Sequence, residues 1–266
     1  MMNRKTFVLT GAAGGMGRAI RSLLEKEGFK VWSLDIAEGT DITDGESLQK
    51  AFLKIREESG SIDGIIHTAG IYDMNSLVEM SDENLKRIFN VNFFAAASVN
   101  RIFLPLLNPG SRIVMVSSEL APLDPLPFTG IYGITKNTVE KYAFSLRMEL
   151  QLLGYNVCVI RPGAVKTGFL GQSQRKIEKF CNTTELYKDT SRRFLRLVNS
   201  IETANVDPQR IAETVYKALT SKRPRYVYNI NRSPLLRLLN ALPQRLQNYV
   251  IRKILTKENN NGHNKQ

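Results

Sequence analysis

Tyr132 and Lys136 stand four residues apart, which on a helix places both on one face. A tyrosine with its ordinary pKa of about 10 is a poor base at pH 7, and a lysine ammonium beside it stabilises the phenolate and lowers that value. The pair therefore suits proton transfer. The same spacing recurs in Tyr249 and Lys253, so spacing alone proves little. Context separates the two pairs. Tyr132 follows an apolar run ending in Ser117-Ser118 and precedes another ending in Arg161-Pro162-Gly163, and Tyr249 has neither neighbour.

A second group suits a ligand with phosphates. Thr10-Gly11-Ala12-Ala13-Gly14-Gly15-Met16-Gly17 joins the first strand-like run to the first helical one. Glycines there permit a tight turn and a close backbone approach to a pyrophosphate, and the helix N-terminus receives the negative charge. Gly11, Gly15 and Gly17 set the spacing T-G-x-x-x-G-x-G. Asp35 closes the second strand, where a carboxylate accepts hydrogen bonds from an adenosine ribose diol and repels a ribose phosphate. Ile36 and Ala37 follow it and Gly14 precedes Gly15, none of them basic. This favours NAD, with NADP as the alternative cofactor. A loop-capping aspartate is the competing reading of Asp35.

These residues need a scaffold. Strand candidates lie at 5–10, 30–35, 62–67, 112–117, 155–161 and 225–229, with helical stretches near 16–27, 44–58, 81–107, 130–153 and 207–220. Runs such as Ile113-Val114-Met115-Val116 and Val157-Cys158-Val159-Ile160 are apolar on both faces, as strands covered by helices must be. The alternation predicts an α/β fold, a doubly wound parallel sheet, in a single domain. A chain of 266 residues is near the size at which single cores stop growing. Residues 168–206 are polar, helix-prone and free of strands. Placed outside the carboxyl ends of the strands, they read as a helical substrate lid, against the blander reading of a surface excursion. The boundaries are then 1–230 for the dinucleotide-binding domain including the lid 168–206, 231–257 for a C-terminal extension, and 258–266 for a disordered tail.

In order along the chain, the Gly11/Gly15/Gly17 turn, Asp35, Asp41-Ile42, Ala69-Gly70, Asn90-Val91-Asn92, Ser117-Ser118, Tyr132 with Lys136, and Pro162-Gly163 followed by Thr167 make the sequence resemble the short-chain dehydrogenase/reductase family. The resemblance covers residues 5 to about 230 and implies a Rossmann fold, NAD(P), and metal-free hydride transfer between nicotinamide C4 and a carbinol or carbonyl carbon. It implies Tyr132 as general acid/base, Lys136 as the residue that binds the nicotinamide ribose and tunes Tyr132, Ser118 as a donor to the substrate oxygen, and Asn92 as the holder of a relay water. Met16, Ala69, Gly70, Pro162 and Gly163 join the glycines around the cofactor. Asp41 and Ile42 would flank the adenine, and Val165 and Thr167 would meet the carboxamide. The family also implies a homo-oligomer, dimer or tetramer, paired through the helices at 81–107 and 130–153.

Three features depart from the family pattern. The usual N-N-A-G reads His67-Thr68-Ala69-Gly70, with Thr68 able to replace part of the lost hydrogen bonding and His67 expected as a packed strand residue. The connection from Asp35 to Asp41 is short, so a helix and a strand on that side are trimmed. Ser118 precedes Tyr132 by 14 residues, with Pro122, Pro125 and Pro127 between them, while Glu119 sits at the commoner offset of 13. A carboxylate facing a phenolate would raise the tyrosine pKa, so Ser118 is preferred and Ser117 ranks second.

Composition narrows the rest. His67 and His263 are the only histidines, far from Cys158 and Cys181, so no metal-ligand spacing exists. Two cysteines fit a reducing compartment. Neither a secretory h-region nor a run of about 18 apolar residues is present, and the expected location is the cytoplasm, with a peripheral lipid surface as the alternative. The net charge of +12 is uneven: residues 1–160 carry 16 basic and 18 acidic side chains, residues 161–266 carry 21 and 7. Residues 222–257 hold nine basic side chains and no acidic one. There Ser233-Pro234 opens a helical stripe of Leu235, Leu236, Leu238, Leu239 and Leu242, continued after Pro243 by Leu246, Tyr249, Val250, Ile254 and Leu255. Such a basic amphipathic pair docks on its own domain, covers the substrate mouth, meets a second subunit, or lies on an anionic membrane through 231–257. It looks like the tail of retinol and hydroxysteroid dehydrogenases, whose substrates are lipophilic, and Phe169 and Leu170 at the lid entry agree. A non-catalytic dinucleotide sensor is the alternative function, although such relatives tend to lose Tyr or Lys. A nucleic-acid partner is not expected, because the basic half lacks interleaved aromatics or a known binding motif.

Overall fold

The computed structural model describes residues 4–166, 168–201 and 205–256; the side chains of 168–174 and 199–201 are outside that description. The strands are β1 (Thr6–Thr10), β2 (Lys30–Leu34), β3 (Ile62–His67), β4 (Leu107–Val116), β5 (Asn156–Pro162) and β6 (Val227–Ile230). They form one parallel sheet in the order β2-β1-β3-β4-β5-β6. The chain leaves β1 for β2 on one side and then returns to β3 on the other. That reversal opens a crevice at the carboxyl ends of β1 and β3, where such folds bind ligands.

Strand alternation builds two cores. Val8, Ile65, Ile113, Met115, Val157 and Val159 face one way, against α2 (Gly45–Ser59), α4 (Ala95–Phe103) and α5 (Gly130–Leu150). Phe7, Leu9, Ile66, Val114, Cys158 and Ile160 face the other, against α1 (Gly15–Lys26) and α8 (Pro208–Thr220). Each fully buried branched side chain stabilises by roughly 1.5–3 kcal/mol, so the sheet is held from both faces. Side chains start the helices: Asp44 accepts from Glu46 N and Ser47 N at α2, and Asp207 caps α8, with Pro208 at its first position.

A third core stands beyond the strand ends. The stretch expected as a lid forms α6 (Gly168–Thr183) and α7 (Lys188–Ile201), and the C-terminal segment forms α9 (Pro234–Asn240) and α10 (Gln244–Thr256). Ile177, Phe180 and Cys181 of α6, Phe194 of α7 and Leu255 of α10 close around Met74 and Phe128. The Glu79 carboxylate accepts from Thr184 Oγ1, Glu185 N and Leu186 N at 2.7–3.0 Å, fastening the α6–α7 turn to the main domain. No helix among the described residues is long and apolar enough to cross a membrane.

The helical stretch expected over 81–107 is not regular. It runs as α3 (Asp82–Phe89), a π-turn over Asn90–Phe94, α4, and a 3-10 turn over Leu104–Leu106. Ala95 N donates to Asn90 O, five residues back, which inserts one residue into the ladder. Pro105 then ends the helix. β4 starts at Leu107, earlier than expected, because Leu107 pairs with Ile62 before an irregularity resets the register at Arg112. The short link after β2 is a 3-10 turn over Ile36–Glu38 and a loop, which leaves β2 at the sheet edge. The expected tail 258–266 lies outside the described residues.

Candidate active site

The glycine turn is dictated by contact as well as conformation. Gly11 has φ 69°, and a Cβ there would stand 2.6 Å from Ala69 N. At Gly17 a Cβ would collide with Gly11 O. Gly14 precedes α1 with no side-chain cap, and the first turn of α1, which opens Gly15-Met16-Gly17, carries no acid. The helix thus presents its N–H groups and positive dipole end without a competitor, which fits a pyrophosphate.

Asp35 joins this turn to the end of β2. Its Oδ2 accepts from Ala13 N at 3.0 Å and its Oδ1 from Ala37 N at 2.9 Å, so it does cap its loop. Asp41 Oδ1 accepts from both N and Oγ1 of Thr43, and Ile42 is packed into the first core. Beyond β3, Thr68 Oγ1 donates to Thr10 O at 2.6 Å, and Ala69 N donates to Thr10 Oγ1. His67 points the other way: its Nε2 meets Asn100 Oδ1 at 2.8 Å, its Nδ1 has no partner among the described residues, and burial pushes it down to about 4.

The π-turn aims Asn92 inward. Its Oδ1 accepts from Ile71 N at 2.7 Å, while Nδ2 donates to Ile71 O and to Thr135 Oγ1. Asn92 therefore clamps the segment after β3 to α5 at Thr135, within the turn that carries Tyr132 and Lys136. Gly70 sits in that junction, where a Cβ would stand 3.3 Å from Asn92 Oδ1 and 3.4 Å from Lys136 Nζ.

Tyr132 and Lys136 are both buried on α5. Tyr132 is hydrogen-bonded to Ser118; burial pushes its phenol up to about 12, and the Ser118 bond works against that push. Tyr72 packs edge-on against the Tyr132 ring at 4.9 Å. Lys136 Nζ lies 5.8 Å from the ring centroid and donates to Val116 O at 3.1 Å. Burial pushes the ammonium down to about 8, and the charge of Glu140 opposes this. Glu140 is gripped in turn by Arg161 Nε at 2.8 Å. Ser117 turns away, its hydroxyl reaching Lys136 O at 3.5 Å. Tyr249 and Lys253 on α10 share the 5.8 Å separation, but Tyr249 is 60% exposed against 8% for Tyr132.

A cavity of about 300 Å³ brings Met16, Gly70, Ser118, Tyr132, Lys136 and Val165 together with the ends of β5 and β6. Pro162 and Gly163 line it and are fixed by bonds from Glu119 N to Pro162 O and from Gly163 N to Ile230 O. Val165 forms an isolated parallel bridge with Val206. Asp35, Asp41 and Ile42 do not line this cavity; Asp35 reaches the glycine turn through Ala13. Thr167 lies outside the described residues, as do the side chains of Phe169 and Leu170. Met74, Leu126, Phe194 and Val198 make much of the remaining wall apolar. Tyr72, Glu140 and Arg232 escaped the sequence reading, and with them the tie of Arg161 to Glu140. Only Glu140 left a trace there, in the four-residue step from Lys136. Among the described residues no cluster of His, Cys, Asp or Glu could hold a metal.

A family model described as short chain dehydrogenase matches residues 35–178. The 3-ketodihydrosphingosine reductase of Bacteroides thetaiotaomicron is 25% identical, over 94% of this chain and 98% of its own. Mouse estradiol 17-beta-dehydrogenase 2 is 27% identical over 95% of this chain and 75% of its own. The 3-ketoacyl-(acyl-carrier-protein) reductase from Brucella melitensis, solved with NADH, shares the fold at a TM-score of 0.70 and 18% identity, covering 86% of this chain and 98% of that one.

Proposed function

This chain belongs to the short-chain dehydrogenase family and is an NAD(P)-dependent oxidoreductase acting between an alcohol and its carbonyl, and we propose that it does so on a lipophilic substrate with Tyr132 as general acid/base. The observation that carries the reading is the buried Ser118–Tyr132 hydrogen bond with Lys136 over the ring, at one end of an open, largely apolar cavity.

When bound, the nicotinamide supplies or accepts the hydride at its C4. The chain's part is to bind, orient and move a proton. Gly11, Gly15 and Gly17 hold the pyrophosphate against the N-terminus of α1. Each Asp35 oxygen accepts one backbone bond and keeps a lone pair for the ribose diol, which supports NAD over NADP. Lys136 and Gly70 face the nicotinamide ribose from one junction, and Pro162, Gly163 and Val165 take the carboxamide side.

Ser118 donates to the substrate oxygen. Tyr132 removes the hydroxyl proton in oxidation and returns it to the carbonyl oxygen in reduction. With its phenol up at about 12 in the free protein, phenolate is scarce at pH 7. Lys136, down at about 8, still keeps its proton there and supplies the positive charge that favours the phenolate. Both amide hydrogens of Asn92 are committed, leaving it an Oδ1 lone pair for a relay water.

Exposed Leu235, Leu238, Leu246 and Ile254, set among Arg237, Arg245, Arg252 and Lys253, support contact of α9 and α10 with an anionic membrane from which the substrate enters. Exposed Phe94, Phe144 and Met148 on and beside α4 and α5 support a homo-oligomer. The test is a panel of steroid, retinoid, fatty and small polar alcohols with NAD and NADP, followed by the absorbance of the reduced cofactor. Tyr132→Phe should lower kcat by about 10²–10⁴-fold while nucleotide binding persists. Full turnover in that variant would reject Tyr132 as the acid/base.

A further inference from the structure

Two charged side chains line the cavity without a part in the proton transfer: Glu119, just past β4, and Arg232, between β6 and α9. Glu119 is pinned at both ends. Its N–H donates to Pro162 O at 2.8 Å, and its Oε2 accepts from Ser233 N at 2.6 Å. Burial pushes its carboxyl up, while the Ser233 N–H and the charge of Arg232 work against that push. Arg232 is the opposite case. Its Nε is shielded from solvent and has no hydrogen-bond partner among the described residues. Buried guanidinium N–H groups are normally paired, so Arg232, which also lines the cavity, keeps hydrogen-bonding capacity that the described residues do not use.

The two signs select the ligand. A carboxylate or phosphate at Arg232 would meet the Glu119 charge, and an ammonium at Glu119 would meet Arg232. A neutral hydroxyl satisfies both, its oxygen accepting from Arg232 and its hydrogen going to Glu119. The neighbouring wall, Leu120, Leu126, Val198 and Leu236, is apolar. We propose that Glu119 and Arg232 form a second polar pole of the substrate cavity, which selects a substrate carrying a neutral hydroxyl on an apolar body, separate from the carbon that reacts. The inference rests on the dehydrogenase reading above.

Matched medium-chain ketones bearing a hydroxyl, a carboxylate, an ammonium or a methyl group at one fixed carbon test it, with NADH and the full-length protein. The wild type should favour the hydroxyl ketone in kcat/KM by about tenfold or more, chiefly through KM. Arg232→Met should bring the hydroxyl-to-methyl ratio close to one and raise the ammonium ketone relative to the others. Glu119→Gln, which keeps an acceptor for Ser233 N, should raise the carboxylate ketone instead. These opposite responses cannot come from a general loss of structure. Turnover without hydroxyl preference, or unchanged ratios in both variants, overturns the subsite and leaves the dehydrogenase reading standing. So does an Arg232→Met enzyme whose sole defect is weaker NADH binding by fluorescence titration. Turnover of none of the four ketones, with NADH still bound, overturns the dehydrogenase reading and the subsite with it.

Discussion

Burial sets the chemistry of single residues here more than their neighbours in sequence do. Tyr132 and Lys136 are driven apart, the phenol up to about 12 and the ammonium down to about 8, because both lose water and burial disfavours the charged form of each. Removing the ammonium with Lys136→Met should therefore move the rising limb of the pH profile for alcohol oxidation to higher pH, since the phenolate loses its stabilising charge. An unmoved limb would separate Lys136 from the ionisation of Tyr132. His67 shows the same force without a catalytic partner. Held near 4 when folded against 6.5 when unfolded, it makes the unfolded chain bind more protons between those values. Stability is therefore complete above about pH 6.5 and is lost as pH falls toward 4, by about 3 kcal/mol. His67→Asn should flatten that part of the curve in urea titrations at pH 7, 5.5 and 4.5; equal losses in both proteins would clear His67 of the effect.

Among the elements, the loop between β4 and α5 carries the most strain. Phe128 adopts φ 65°, a left-handed conformation costing a bulky residue about 1–3 kcal/mol. Its ring repays this by meeting Phe180, Tyr187 and Phe194 of the lid at 4.7–5.4 Å, while its carbonyl accepts from Asn75 N. The residue that ties the lid down thus sits only four positions before the proposed acid/base. Phe128→Ala keeps the strained backbone and loses the ring, so a loss of about 3–5 kcal/mol is expected. Faster limited proteolysis at the α6–α7 turn should accompany it. A variant melting like the wild type would show that the lid is anchored elsewhere. The sequence shows three prolines in this loop and nothing that marks Phe128, whose ring partners Phe180, Tyr187 and Phe194 lie more than 50 residues away along the chain.

At the scale of the molecule, the C-terminal segment helps to build the substrate cavity. Leu255 closes the third core, Ser233 holds Glu119, and Leu236 lines the cavity, so removing the segment would dismantle the substrate site. Its outward face is separable. Leu235 and Leu238 are 53% and 66% exposed on the short helix α9. The double variant Leu235→Glu, Leu238→Glu should lose flotation with anionic vesicles, with turnover of a short water-soluble alcohol as the control. Wild-type protein that stays at the bottom of the gradient would end the membrane reading. The +12 charge belongs to this picture: the lid and tail hold the excess, while the cofactor half is slightly acidic.

The glycine turn, the alternation of strand and helix, and the Tyr132–Lys136 face were legible in the residues alone. Each depends on contacts within a few positions, where backbone sterics and helical or strand periodicity act directly. What the tertiary structure decided lies farther apart. It turned Ser118 to Tyr132 and Ser117 to the α5 backbone, and buried Tyr132 while leaving the equally spaced Tyr249 exposed. It also brought Glu119 to Ser233 across 114 residues and left Arg232 Nε without a partner among the described residues. Loss of water and meetings between distant segments follow from packing, and no local pattern carries them.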